Sequence, residues 1–335
     1  MPKRGPADQL DQAIQAMLVS LRPRPEQRPS PALPALLRVA VVLRDLPRPE
    51  FRFQLKSALQ RRTTMNEAVA PSPEKMVHFM RPGFTSITPY ILVNGGARFI
   101  DFLKSAFNGV ERLRVPMPDG KLMHAEVAIG NGMIELGDAN DQYPATPVAI
   151  HLYVDDPDAT YARALEAGAT GLSAPTADHP SGDRWGTARD PFGNLWHIAK
   201  PQGWTPGSEG LRSVQPYLYL RDAHKAISFL EAAFGAEGIG SHFSPQGTLL
   251  HATMRIGNAT LEISEAHGEF QPMPGHLHIY VPDTDALYAQ ALRRGATSVE
   301  APTNKPYGDR AAGVKDPFGN TWFLATHLGS PNRNL

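Results

Sequence analysis

The sequence predicts an α+β protein built from two tandem copies of one domain, preceded by an N-terminal helical segment. Three observations predict it. The block Asp190-Pro191-Phe192-Gly193-Asn194-Leu195-Trp196 returns as Asp316-Pro317-Phe318-Gly319-Asn320-Thr321-Trp322 with a single change. Landmarks ahead of each block keep a constant register: Pro89-Tyr90 with Pro216-Tyr217, His124-Ala125 with His251-Ala252, Glu135 with Glu262, His151 with His278. Within each copy, short β-type runs alternate with one amphipathic helix at a time, which reads as two strand–helix–strands units per copy. A repeat of this length is a duplicated domain and not a solenoid.

The N-terminal region differs in character. Residues 7–21 carry Leu10, Ile14, Met17, Leu18 and Leu21 at helical spacing. A proline-rich connection covers 23–34, and further helices are expected at 35–46 and 50–65. Residues 1–65 hold no catalytic constellation and read as a helical appendage for the main body or a partner chain, with 66–84 as a linker.

From Thr85 the pattern changes. A strand is expected at 87–93 and a helix at 97–107, with Phe99, Phe102, Leu103 and Phe107 on its inner face. Strands 124–129 and 133–136 form a hairpin across Gly130-Asn131-Gly132. A strand at 148–154, a helix at 157–167 closed by Gly168, and a last strand at 195–199 complete the copy. The Asp-Pro…Gly-Asn block is the turn that launches that last strand. The expected domains are 85–200 and 212–327, joined by 201–211.

Composition narrows the function classes. Lys+Arg and Asp+Glu balance at 33 each, so nothing in the net charge favours nucleic acid or an anionic membrane. No apolar run approaches the ~20 residues of a membrane helix. No apolar segment follows the first residues, so a cytoplasmic location is expected. Cysteine is absent, which removes disulfides, thiolate metal sites and thiol nucleophiles. A metal would have to sit on His, Asp or Glu.

The runs Ile87-Thr88-Pro89-Tyr90, Met123-His124-Ala125-Glu126 and His151-Leu152-Tyr153-Val154-Asp155-Asp156, with Gly182-Asp183-Arg184 ahead of Asp190-Pro191-Phe192-Gly193-Asn194, carry a resemblance. Residues 85–327 resemble the vicinal oxygen chelate superfamily of glyoxalases, bleomycin-resistance proteins and extradiol dioxygenases, and within it the PhnB-like group. The resemblance implies paired βαβββ units curled around a cavity. It also implies metal ligands on the first and last strands of two units. On the first copy those positions are Thr88, Glu135, His151 and His197; on the second they are Gln215, Glu262, His278 and Phe323. Glu135, His151 and His197 would then hold a divalent metal (Zn, Ni, Co, Mn or Fe), with Glu135 as proton-moving residue. Phe323 cannot ligate, so Glu262 and His278 make a weaker second site. Family members also exchange units, and under that pairing the set becomes Glu262, His151 and His197. Both arrangements are open at this point.

Placing the hairpin turn at Asn131-Gly132 sets Ala128 opposite Glu135. His124 then lies ~13 Å along the strand from that position, lining the cavity without sharing a metal with Glu135. His124, His251, Tyr90, Tyr153, Tyr217 and Tyr280 are expected as cavity or substrate contacts. Gly182-Asp183-Arg184 and Gly308-Asp309-Arg310 are expected to order loops through an Asp–Arg pair.

The functional expectation is a metal-dependent lyase or isomerase acting on a small oxygenated substrate; a dioxygenase is disfavoured by Gln215 and Phe323. The alternatives are a bleomycin-resistance-like binding protein without chemistry, whose flat ligand would meet the tyrosines, and an interaction protein working through its N-terminal helices. The expected partners are a small molecule and a second copy of the chain, with neither nucleic acid nor membrane.

Overall fold

The computed structural model describes residues 79–177, 182–201, 212–268 and 270–329. The expected helices at 7–21, 35–46 and 50–65 lie outside them. The elements named below, apart from the end of one edge strand, belong to a single compact unit.

Four βαβββ units follow one another. The first comprises β1 (Ile87–Val93), α1 (Gly96–Phe107), β2 (Val110–Pro116), β3 (Leu122–Ile129) and β4 (Gly132–Asp138). The second comprises β5 (Ala149–Tyr153), α2 (Pro157–Glu166), β6 (Thr170–Thr176), β7 (Arg184–Arg189) and β8 (Leu195–Lys200). The third comprises β9 (Val214–Leu220), α3 (Ala223–Phe234), β10 (Glu237–Phe243), β11 (Leu249–Ile256) and β12 (Ala259–Glu265). The fourth comprises β13 (His276–Tyr280), α4 (Thr284–Arg293), β14 (Thr297–Asn304), β15 (Asp309–Lys315) and β16 (Thr321–His327). The α+β class and the βαβββ units are as the sequence predicts.

The sheets combine units from both copies. One sheet, A, runs β14-β15-β16-β13-β1-β4-β3-β2, so it joins the first unit to the fourth. The other, B, runs β10-β11-β12-β9-β5-β8-β7-β6 and joins the third unit to the second. The joints are antiparallel: Thr88 faces His278 across β1 and β13, and His151 faces Gln215 across β5 and β9. Units are therefore exchanged between the copies.

Two reciprocal contacts tie the sheets together. Asn258, in the β11–β12 turn, accepts from the Ser86 N–H at 2.8 Å just ahead of β1. Asn131, in the β3–β4 turn, accepts from the Ser213 N–H at 2.7 Å just ahead of β9. The residue before each asparagine must be glycine. Gly130 and Gly257 sit at φ 57 and 59, and a Cβ would come within 2.2 Å of the Ser213 or Ser86 hydroxyl.

Each copy keeps its own apolar core on the opposite face. Helix α1 buries Phe99, Ile100, Phe102, Leu103, Ala106 and Phe107, one stripe at three- and four-residue spacing. That stripe packs with Ile91, Ile134 and Leu136 of the first unit and with Ile150, Trp196 and Ile198 of the second. The Phe107 and Trp196 rings lie 4.4 Å apart, as Phe234 and Trp322 lie 4.6 Å apart in the second copy.

The repeated block anchors this core. The Asp190 carboxylate accepts from the Phe192 and Asn194 N–H groups, the Asn194 amide and the Trp196 indole, all at 2.8–2.9 Å. Asn194 in turn accepts from the Val148 N–H at 3.0 Å, tying β8 to β5. Asp316, Asn320 and Trp322 repeat the arrangement. Here the sequence repeat marks a buried hydrogen-bond node.

Candidate metal and substrate site

With apolar side chains committed to the core faces, the other face of each sheet collects the polar ones, because successive residues of a strand alternate sides. The two polar faces occupy equivalent positions in the duplication, and the sequence-predicted site residues divide between them.

On sheet B, β5, β8, β9 and β12 bring together His151, His197, Gln215 and Glu262. His151 Nδ1 lies 2.6 Å from Glu262 Oε2, and the Tyr153 hydroxyl donates to Oε1 at 3.0 Å. His251 Nε2 reaches Oε2 at 3.2 Å. Burial alone would raise this carboxyl, but His151 and His251 outweigh it and hold it below the ordinary range. His197 sits one strand over, its ring 6.4 Å from that of His151. Its Nδ1 is 3.1 Å from the Thr187 hydroxyl and its Nε2 3.0 Å from the Tyr219 hydroxyl. The Gln215 carbonyl accepts from Thr260 at 2.7 Å. Trp185 packs 4.3 Å from His151, and Phe270 stacks on Tyr219 at 5.0 Å. Glu262, His151, His197 and Gln215 are each at most 2% exposed. These four are buried, whereas His251 at the edge of the face is 30% exposed; among the described residues His151 Nε2 is buried without a hydrogen bond.

Glu135 does not join His151 and His197. It sits on sheet A, where its Oε2 lies 2.7 Å from His278 Nδ1. The first expected triad is therefore split between the sheets by the unit exchange, and the pair Glu262–His278 is split by the same cause. The exchanged set Glu262, His151 and His197 does share one face.

The hairpin register also differs from expectation. The turn is Gly130-Asn131, with Ile129 paired to Gly132, so Glu126 and not Ala128 stands opposite Glu135. His124 is then only two residues from the Glu135 position. Donor atoms of His124, Glu126 and Glu135 lie within 4.8 Å of one another. The expectation that His124 is too distant to share a metal with Glu135 is thus overturned. Glu126 escaped the sequence reading, although its two-residue spacing from His124 puts both on one face.

The surroundings of this cluster are polar and partly open. Tyr90 OH lies 3.2 Å from His124 Nδ1, and His124 Nε2 lies 3.2 Å from Glu126 Oε1. Arg81 Nη1 contacts Glu126 Oε1 at 2.7 Å; its side chain is 28% exposed and that of His124 22%. Burial raises the Glu126 carboxyl, and His124 with Arg81 outweighs it, leaving it lowered. Burial pulls the His278 imidazole down, and the Glu135 charge and hydrogen bond overcome this and leave it raised. Burial and the Glu135 charge push the Tyr90 phenol up.

The remaining expected residues fall into place around these faces. Tyr280 donates to Asp309 at 3.2 Å, and Tyr217 meets Ser264 at 2.5 Å. Phe323 stands 5.3 Å from Tyr90 as an apolar wall. The Gly-Asp-Arg loops differ from expectation: Arg184 pairs with Asp158 and Arg310 with Asp285, both on helices, while Asp309 faces His327 at 2.6 Å.

The residues of sheet A fit a divalent cation on three counts. Two carboxylates and an imidazole are in ligand range of one another. A fourth protein group, His278, orients one carboxylate. Thr88 Oγ1, beside His278 on the joint strand, is buried with no hydrogen-bond partner. On sheet B the His197 nitrogens meet the Thr187 and Tyr219 hydroxyls and the Gln215 oxygen accepts from Thr260, while His151 Nε2 is buried with no hydrogen bond.

Comparison with known proteins agrees with this architecture. Residues 75–198 and 212–324 match the family described as Glyoxalase/Bleomycin resistance protein/Dioxygenase superfamily. An uncharacterized protein of Mycobacterium bovis is 42% identical over 130 residues, spanning 35% of this chain and 83% of its own length. One from Mycobacterium tuberculosis shares 42% identity over 130 residues, 74% of its own length. The crystal structure of glyoxalase I from Zea mays superposes with a TM-score of 0.58 at 16% identity, covering 72% of this chain and 92% of that one. With two matches that together take in most of the sequence, the chain belongs to the glyoxalase/bleomycin resistance protein/dioxygenase superfamily.

Proposed function

We propose that this protein is a metal-dependent enzyme, a lyase or isomerase of the glyoxalase kind, working on a small oxygenated substrate at the polar face of sheet A. The observation that carries this reading is the gathering of His124, Glu126 and Glu135 donors within 4.8 Å on a face that solvent reaches. These three residues would hold the ion. A divalent metal bound there supplies Lewis-acid polarisation of a carbonyl or enediolate oxygen.

The chain's own residues supply the rest. His278 fixes Glu135 through Oε2, so this carboxylate would both hold the ion and act as the base that takes a proton from substrate carbon. Tyr90 fixes the His124 ring through Nδ1, so Nε2 is the nitrogen facing the carboxylates. Phe323 and Tyr90 give the face an apolar side that limits water. Zinc, nickel, cobalt, manganese and iron(II) are all compatible with a mixed imidazole–carboxylate set.

The expected location is the cytoplasm and the expected assembly a homodimer; among the described residues no helix is long and apolar enough to cross a membrane. One observation favours a second reading, binding without chemistry: the aromatic lining of sheet B, with Trp185, Tyr217, Tyr219 and Phe270, would suit a flat ligand. Elemental analysis and cobalt titration of chelator-treated protein separate the readings. The enzyme reading expects one ion per chain, abolished by His124→Ala and retained in His151→Ala and His197→Ala. Absence of any ion-binding would overturn it.

A further inference from the structure

Arg81 stands at the edge of the donor cluster without a role in holding it. The segment that carries it is firmly placed. The His327 N–H donates to the Phe79 carbonyl at 2.9 Å, and the Phe84 N–H to the Arg81 carbonyl at 3.2 Å. Phe84 packs edge-on against Tyr280 at 5.7 Å, and the Arg81 guanidinium rests 4.9 Å from the Phe84 ring centre. The guanidinium is thus held in one place by an aromatic platform. Its Nη1 lies 2.7 Å from Glu126 Oε1.

Charge on this face does not balance once an ion is present. Glu126 and Glu135 together neutralise one divalent cation. Arg81 then carries a positive charge beside carboxylates already committed elsewhere, in a half-buried position where an unpaired charge is costly. A guanidinium fork matches a carboxylate better than any other side chain does.

Resting on the metal reading above, we infer that Arg81 recognises an anionic group on the substrate, so that the substrate class is a small carbonyl or hydroxy compound carrying a carboxylate. In the metal-free protein Arg81 pairs with Glu126. Loading of the ion draws Glu126 away and frees the fork, so ion binding precedes anion binding.

The test uses the full chain and two probes of similar size, anionic pyruvate and neutral hydroxyacetone, titrated calorimetrically into zinc-loaded protein. The wild type is expected to bind pyruvate about tenfold or more tighter than hydroxyacetone, the scale of a charge-assisted hydrogen bond. Arg81→Gln is expected to lose that preference while holding zinc as tightly as wild type or tighter. Arg81→Lys is expected to keep part of it. Zinc affinity in the same samples shows that the variants are folded. If the wild type binds zinc but shows no preference for pyruvate, or if Arg81→Gln keeps the preference, the inference is wrong and the metal reading survives. If the wild type binds no zinc, the metal reading itself fails and the inference falls with it.

Discussion

The polar faces of sheets A and B descend from the same pattern and have diverged in which donors they gather. Both present a glutamate against a histidine at nearly the same distance, 2.7 Å for Glu135–His278 and 2.6 Å for Glu262–His151. On sheet B the glutamate is also held by Tyr153 and His251, the neighbouring histidine is held by Thr187 and Tyr219, and Trp185 and Phe270 close over the group. On sheet A the last-strand position is Phe323, but β3 adds a carboxylate where the second copy has Thr253, facing Glu262. The threonine-to-glutamate difference, together with Phe323 in place of His197, thus separates a buried polar node from the three-donor cluster. A duplicated site can keep its architecture while one copy stabilises the fold and the other stays available for chemistry.

Removing the buried carboxylate of sheet B has the largest expected effect. Glu262→Ala strands His151 and Tyr153 in a buried setting. It is expected to lower folding stability by roughly 3–5 kcal/mol, read by urea unfolding. Glu126→Ala, on the open face, is expected to cost clearly less, and equal losses would contradict the division of roles.

A smaller, pH-dependent effect is expected at His276. His276 is largely buried on β13, stacked on Phe323, and burial lowers its pKa to about 4. The folded state therefore disfavours the protonated ring that the unfolded chain adopts below its ordinary value. Its contribution is complete above about pH 6.5 and is lost as pH falls towards 4, at most about 3 kcal/mol. Unfolding measured across that window should show His276→Phe with a flatter profile than wild type. An unchanged slope would remove His276 from the explanation.

A smaller effect is expected where a residue only orients a donor. His278→Gln keeps a hydrogen-bonding group near Glu135 and removes the imidazole. Metal affinity should fall by roughly 10–100-fold, as for other supporting partners, with the ion still bound at saturation. Loss of all binding would promote His278 to a ligand.

Much of this was legible in the sequence because alternation and turns are local. Phe99 to Phe107 announce α1, and the Asp-Pro…Gly-Asn block announces the buried node before the last strand. The pairing of units was not legible. Strand β1 can offer its free edge to β5 or to β13, and the duplication makes these strands near-copies. The choice is locked by long-range contacts such as Ser86 with Asn258, whose meaning appears only in three dimensions. The donor cluster was missed for a reason of one peptide step. Gly130-Asn131-Gly132 allows two adjacent two-residue turns, and the observed one moves Glu126 opposite Glu135. Arg81 lies ahead of the first strand, among residues that composition marks only as a linker.

An ion is expected to bind to sheet A and not to sheet B. Metal stoichiometry of Glu135→Gln and Glu262→Gln, measured side by side with wild type by elemental analysis, tests it most directly. The account predicts one ion per chain in wild type and in Glu262→Gln, and none in Glu135→Gln. Retention of the ion in Glu135→Gln together with its loss in Glu262→Gln would contradict it and move the chemistry to the other sheet.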